Sequence, residues 1–305
     1  MKKDLLRLLD LSTEEILRLL SLADRLKDEQ KRHIPHPHLS GKTLAMIFTK
    51  SSTRTRVSFE VGMTQLGGHA VFLSPADAQF GRGEPICDTA RVLARYCDGI
   101  MIRTFAQSDV EELARYAPVP VINALTDDFH PCQVLADLMT IREHKSTLEG
   151  LKLCFLGDGF NMANSLIVGG LKTGMRVSVA IPEGYNNLHR DVVSYAASCG
   201  NRFCLTDRPM EAAADADVVV TDVWSSMGQE AENEARAKAF DGFQVNAALM
   251  RAAAPGALVL HCLPAHRGEE ITDEIMEAHG EIFDEAENRL HAQKAVLVTL
   301  MGRQG

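Results

Sequence analysis

Residues able to do chemistry gather in short clusters, each directly after an apolar run. The segment Lys50-Ser51-Ser52-Thr53-Arg54-Thr55-Arg56 follows the first such run and opens a helix-like stretch. Small hydroxyl residues at a helix start offer free backbone N–H groups, hydroxyl donors and the positive end of the helix dipole. Arg54 and Arg56 add charge, and a guanidinium grips a phosphate with two donors at once. An isolated Ser-Thr pair would be an ordinary helix cap with solvated basic neighbours. The whole segment, placed behind a buried strand, reads as an anion cradle.

Arg103 ends the run Ile100-Met101-Ile102. A charge directly after a buried strand points at the sheet's carboxyl edge and suits an anion or a carbonyl, although a strand-end Arg paired with a surface carboxylate is the plainer reading. In His130-Pro131-Cys132-Gln133, Pro131 fits the first turn of a helix. His130 and Gln133 then lie near its positive end, where a neutral imidazole is favoured and both side chains can hydrogen-bond a carbonyl or an amide. The competing reading makes His130 a cap.

Gly157-Asp158-Gly159-Phe160-Asn161 begins like a dinucleotide loop. The third glycine of that fingerprint is Met162 here, which argues against a nicotinamide dehydrogenase and leaves Asn161 as a ligand contact. Asp222-Val223-Trp224-Ser225-Ser226-Met227-Gly228 ends another strand. Asp222 can hold a cationic amine and Ser226 can orient a carboxylate or amino group, set against a strand-end cap beside a core aromatic. His261-Cys262-Leu263-Pro264 ends a further strand. Sequence neighbours on a strand point to opposite faces, so His261 and Cys262 cannot form a direct catalytic pair. A buried, unreactive thiol is the commoner fate of such a Cys. His33, His36 and His38 lie in a Pro-broken tract without Cys or carboxylate ligands nearby, so the sequence gives no metal site.

The elements that must position these residues are legible in outline. Ser12 with Glu15 three residues on makes a capping box, and Ile16, Leu19, Leu20 and Leu22 or Ala23 give one apolar helical face. Strand-like runs follow at Thr43–Phe48, Ala70–Leu73, Ile100–Ile102 and Val119–Asn123, with helical stretches near 53–66, 86–97 and 108–117 between them. A long helix runs from about Pro131 to His144, and strands resume at Leu151–Leu156, Val177–Ile181, Arg202–Leu205, Val218–Thr221 and Ala257–His261. Short apolar strands alternating with helices predict α/β architecture: two domains, each a mainly parallel sheet flanked by helices, joined by long interdomain helices. The polar stretch Lys145–Gly150 sets the boundary, giving domains over 1–145 and 146–284, with a final helix in 285–305 packing back onto the first.

With 305 residues, the chain is long enough for two such cores. The formal charge of -9 argues against a general binder of nucleic acid or anionic membrane, so positive charge for a phosphorylated ligand must be concentrated locally. Seven scattered Cys with no CxxC pair fit a reducing compartment. No apolar run approaches the ~20 residues of a membrane span. The N-terminal stretch carries early acids and no apolar core of a signal, which reads as cytoplasmic.

The motifs S-T-R-T-R, H-P-C-Q, D-x-W-x-S-M-G and H-C-L-P occur together and in order. In this the chain resembles the ornithine carbamoyltransferases, from Phe48 to about Leu300. The resemblance implies an N-terminal domain for carbamoyl phosphate, a second for ornithine, and a homotrimer with sites at subunit junctions. It implies that Ser52, Thr53, Arg54, Thr55, Arg103, His130, Pro131, Cys132 and Gln133 hold carbamoyl phosphate, with Gln79 reaching a neighbour's site. Cys262 and Leu263 would line the reacting centre, and Arg289 would return from the last helix. Asn161, Asp222, Ser226 and Met227 would hold ornithine. Where the family usually has two asparagines this chain has Phe160-Asn161, so the ornithine-contacting residue is kept beside an aromatic neighbour.

The implied reaction is attack of ornithine's side-chain amine on carbamoyl phosphate, giving citrulline and phosphate in arginine metabolism, with no metal or organic cofactor required. Arg54, Arg103, His130 and Cys262 would carry the catalysis, Cys262 without forming a covalent bond. Two readings stay open beside it: a carbamoyltransferase for putrescine or an acylated ornithine, and a non-catalytic binder of a phosphorylated metabolite.

Overall fold

A computed structural model describes residues 3–74, 83–225 and 233–302. The chain divides into two compact units, Met1–Ala136 with Arg289–Gly305, and Asp137–Asn288.

The first unit opens with α1 (Thr13–Lys31), whose capping box forms as expected: Ser12 accepts from the Glu15 amide, and the Glu15 side chain accepts from the Ser12 amide. Ile16, Leu19, Leu20, Ala23 and Leu26 are buried, which settles the apolar face on Ala23 rather than Leu22. Strands β1 (Thr43–Phe48), β2 (His69–Leu73), β3 (Gly99–Arg103) and β4 (Val121–Leu125) form one parallel sheet in the order β2-β1-β3-β4. The intervening helices are α2 (Thr53–Gln65), α3 (Ile86–Tyr96) and α4 (Gln107–Tyr116). Strands β3 and β4 are buried throughout, and the inner β3 is an apolar run covered on both faces. The edge strand β2 is only half-covered.

Strand β4 begins two residues later than its apolar run. Pro120 has no N–H for the ladder and only accepts, from the Ile100 amide.

The second unit holds β5 (Lys152–Leu156), β6 (Arg176–Ala180), β7 (Phe203–Thr206), β8 (Val218–Thr221) and β9 (Leu258–His261), again all parallel, in the order β7-β6-β5-β8-β9. Its helices include α6 (Asn161–Lys172), α7 (Arg190–Ser198), α8 (Pro209–Ala213), α9 (Asn233–Ala239), α10 (Ala247–Met250) and α11 (Asp273–Ala278). Its core packs Cys154, Leu156, Val219, Val259, Phe240 and Phe243 around the sheet.

Two long helices carry the chain across the division: α5 (Pro131–Lys145), and α12 (Glu281–Met301), which starts four residues before its expected position. Glu281 and Asp284 in the first turn of α12 suit the positive end of its dipole, a signal that apolar spacing does not register. No described helix is long and apolar enough to cross a membrane.

Candidate active site

In an open parallel sheet, ligands settle beyond the strands' carboxyl ends where the strand order reverses. Those points lie between β1 and β3 in one sheet and between β5 and β8 in the other. The clusters singled out in the sequence fall at both.

In the first unit, Phe48 lies in register with Arg103, so the loops after β1 and β3 leave side by side. The Thr49 amide donates to the Arg103 carbonyl at 2.9 Å, and the Thr49 hydroxyl donates to Thr104 Oγ1 at 3.0 Å. Ser52 is the N-cap of α2: its Oγ accepts from the Thr55 amide at 3.3 Å and donates to Thr55 Oγ1 at 3.1 Å. Thr55 is fully buried and also accepts from Arg289 Nη2 at 2.8 Å. Arg54 Nε is buried with no hydrogen-bond partner, a donor left for a ligand. The ladder slips between Ile102 and Arg103, and such irregularities re-aim side chains at strand ends.

His130 and Gln133 are buried at the start of α5, where Pro131 takes the first position. Burial, reinforced by the charges of Arg289, Arg103 and Lys50, holds the His130 imidazole well below its ordinary pKa. It is therefore neutral at physiological pH, and cationic groups from three segments surround it. The Cys132 side chain donates to the Asn123 carbonyl at 3.5 Å, and burial pushes its pKa up to about 12, so its thiol is structural.

In the second unit, Gly157 to Phe160 link β5 to α6, and Asn161 is the first residue of that helix, 9% exposed. A Cβ on Gly159 would lie 2.9 Å from both the Asn187 nitrogen and the Tyr185 oxygen. This glycine is required for close backbone packing, which explains the resemblance to a dinucleotide loop. Asp222 follows β8, accepting from Cys262 Sγ at 3.1 Å and from the Val223 amide at 2.8 Å. Burial raises the Asp222 carboxyl, and burial with the adjacent Asp222 charge holds the Cys262 thiol well above its usual range. Cys262 is thus a protonated thiol donating to a carboxylate.

His261 ends β9 and Cys262 lies just past it, so strand alternation does not separate them as expected; the His261 ring is held at both nitrogens. Its Nδ1 accepts from the Leu263 amide at 2.9 Å, so the proton is on Nε2, which donates to the buried Glu270 carboxylate at 3.0 Å. Glu285 accepts from the His261 amide at 2.8 Å. Leu263 holds a left-handed φ of 56°, an unfavourable conformation for a branched residue and one that clusters at functional sites. Ligand atoms of Asp222, His261 and Cys262 lie within 4.8 Å of one another. Both His261 nitrogens are hydrogen-bonded within the protein, and the Cys262 thiol donates to Asp222.

Family models match the chain over residues 3–143, described as aspartate/ornithine carbamoyltransferase, carbamoyl-P binding domain, and over residues 149–300, described as the Asp/Orn binding domain. The chain belongs to the aspartate/ornithine carbamoyltransferase family. It is 57% identical to an ornithine carbamoyltransferase of Carboxydothermus hydrogenoformans, over 98% of each chain. Among solved structures it is similar to the ornithine carbamoyltransferase of Pyrococcus furiosus, with a TM-score of 0.93 at 55% identity, covering 98% of this chain and 96% of that one. The anabolic ornithine carbamoyltransferase of Campylobacter jejuni gives a TM-score of 0.92 at 44% identity, covering 98% and 99% of the two chains.

Within this carbamoyltransferase fold, Ser52, Thr53, Arg54, Thr55, Arg103, His130, Gln133 and Arg289 come together at one switch point. Asn161, Asp222 and Cys262 come together at the other. Gln79, Ser226 and Met227 lie outside the described residues. Arg56 is not part of the cradle: it is exposed, pairs with Glu60 at 3.0 Å and lies 3.7 Å over the Phe72 ring. Lys50, which opens the segment after β1 and had no separate role assigned from sequence, is buried with Nζ donating to Asp127 at 3.1 Å. Glu270 and Glu285, which hold His261, had no signal in the sequence.

Proposed function

We propose that this chain transfers the carbamoyl group of carbamoyl phosphate to the side-chain amine of L-ornithine, giving L-citrulline and phosphate. The observation that carries the reading is the pairing of chemistries at the two switch points. One gathers cationic side chains around a neutral histidine. The other presents a carboxylate hydrogen-bonded to a thiol.

In the first, the amides of 52–54, Arg54 and Arg289 hold the phosphate through charge-assisted hydrogen bonds. Arg103, His130 and the Thr55 hydroxyl donate to the carbonyl oxygen, which gains negative charge as the tetrahedral state forms. A neutral His130 donates there without repelling the surrounding cations. Gln133 orients the carbamoyl amide, and Pro131 and Cys132 shape the pocket.

In the second, Asn161, Ser226 and Met227 hold the amino-acid end of ornithine. A free alkyl ammonium has a pKa of about 10.4, so the site must favour the neutral amine. Asp222 and Cys262 locate that amine and take part in handling its proton, and the His261–Glu270 pair holds the Cys262 segment in place. Cys262 stays a thiol throughout. Phosphate leaves as the C–N bond forms, and holding both reactants in place removes much of the entropic barrier.

The protein serves arginine metabolism in the cytoplasm as a homotrimer, with Gln79 reaching a neighbouring subunit's site. The test is a citrulline assay with ornithine, putrescine and acetylornithine offered side by side. Carbamoylation of ornithine is expected to dominate. Preference for another amine would reassign the acceptor, and tight phosphate binding without any product would make the chain a binding protein.

A further inference from the structure

Arg236, on α9, is 5% exposed and is bonded to both loops that meet at the second switch point. Its Nη1 donates to Asp158 Oδ2 at 2.6 Å and to the Trp224 carbonyl at 2.9 Å. Asp158 lies in the loop after β5 that ends at Asn161. Trp224 lies two residues beyond Asp222, after β8. The guanidinium carbon is 5.0 Å from the Tyr185 ring centroid, and Tyr185 and Trp224 both pack on Phe240, with ring centroids 5.1 and 5.8 Å away. The cation thus lies against one aromatic ring, with its Nη1 held by two acceptors from different loops.

A buried ion pair of this kind contributes little net stability over a well-packed apolar substitute, because desolvation offsets the attraction. What this one does achieve is geometric: a single side chain ties the two segments that carry Asn161 and Asp222. A planar guanidinium, with several donors in a rigid fork, can bond a carboxylate and a carbonyl at once. Asp158 and Asp222 also feel each other's charge, and Arg236 is the cation that offsets the Asp158 side.

We propose that Arg236 is a positioning residue for the amino-acid substrate, acting through Asp158 and the Trp224 carbonyl to hold Asn161 and Asp222 in their substrate-receiving geometry. This rests on the ornithine reading of the second site.

The test is steady-state kinetics on the full chain and on Arg236→Met, Arg236→Lys, Asp158→Asn and the double variant Arg236→Met/Asp158→Asn, with each substrate varied in turn. Arg236→Met is expected to raise the KM for ornithine about tenfold or more, as misplaced contacts do. The KM for carbamoyl phosphate should stay within about twofold. Arg236→Lys should recover part of the loss, and the double variant should fall well short of the summed single effects.

An unchanged ornithine KM in Arg236→Met overturns the proposal, as does an equal rise in both KM values. If Arg236→Met does not fold, Arg236→Lys and Asp158→Asn are judged by the same split between the two KM values. Failure of the unsubstituted chain to form citrulline from ornithine overturns the functional reading instead, so the two failures are separate.

Discussion

Arg289 Nη2 donates to Thr55 Oγ1 across 2.8 Å, joining residues 234 positions apart in the sequence. The same oxygen accepts from Ser52 Oγ at 3.1 Å. A hydroxyl offers two lone pairs and one proton, so with both lone pairs taken the Thr55 proton is left to donate. Thr55→Val keeps the shape and removes that donor. A fall in kcat of roughly 10²–10³ at saturating substrates is expected. A variant turning over at the normal rate would remove Thr55 from the carbonyl-binding set.

Arg54 offers the cradle a buried Nε with no protein acceptor. Arg54→Gly should abolish nearly all turnover and, by calorimetric titration, nearly all binding of carbamoyl phosphate. Retention of both would show that the anion is held elsewhere.

The Cys262 thiol sits well above its usual pKa and donates to Asp222. Thiolate is the reactive form, so alkylation by iodoacetamide should be slow at pH 7–8. Peptide mapping can follow it, with the exposed Cys204 as the internal comparison. Cys262→Ala should weaken use of ornithine yet keep measurable activity. A carbamoyl adduct trapped on the native thiol would contradict the non-covalent mechanism.

Two buried histidines set a pH dependence of stability. Burial and neighbouring cations hold His130 well below its ordinary 6.5, and His291 is lowered to about 3. Their folded values lie below the unfolded value, so the unfolded chain binds more protons in that interval. The stability they contribute is complete above about pH 6.5 and is lost as pH falls toward the folded values, by up to about 1.4 kcal/mol per pH unit for each group. Urea denaturation at pH 7.5, 6 and 5 should show it, and His291→Gln should flatten the slope. For catalysis, kcat/KM for ornithine should rise from pH 6 to 9 with loss of the amine proton, and no step near 6.5 should come from His130. A flat profile would count against the amine-deprotonation step.

Most of the parallel-sheet pattern was legible because each inner strand is an unbroken apolar run. Thr43–Phe48 and Val218–Thr221 match their strands residue for residue. The hydroxyl-rich start of α2, with Ser52 as its N-cap, was legible because Ser52, Thr53, Arg54 and Thr55 are contiguous behind an apolar run. Arg56 misled because local sequence cannot show that Phe72 and Glu60 engage it. Glu270 and Arg236 were not legible at all. Their roles arise from contacts such as His261–Glu270 and Arg236–Asp158, the latter spanning 78 positions, and no periodicity marks such partners.

The first unit is built from two stretches of chain, Met1–Ala136 and Arg289–Gly305, whereas the second is one continuous stretch between them. On the ribosome, β1 to β4 are complete long before Arg289 is made. At roughly 5–20 residues per second, the interval is on the order of 10–30 s. Gly62, on α2, packs against Leu290, Lys294 and Leu297 of the late segment, so α2 must wait with that surface uncovered while the second unit is already complete in sequence. The order of maturation is therefore the reverse of the order of synthesis, and the contact of Arg289 with Thr55 is among the last to form.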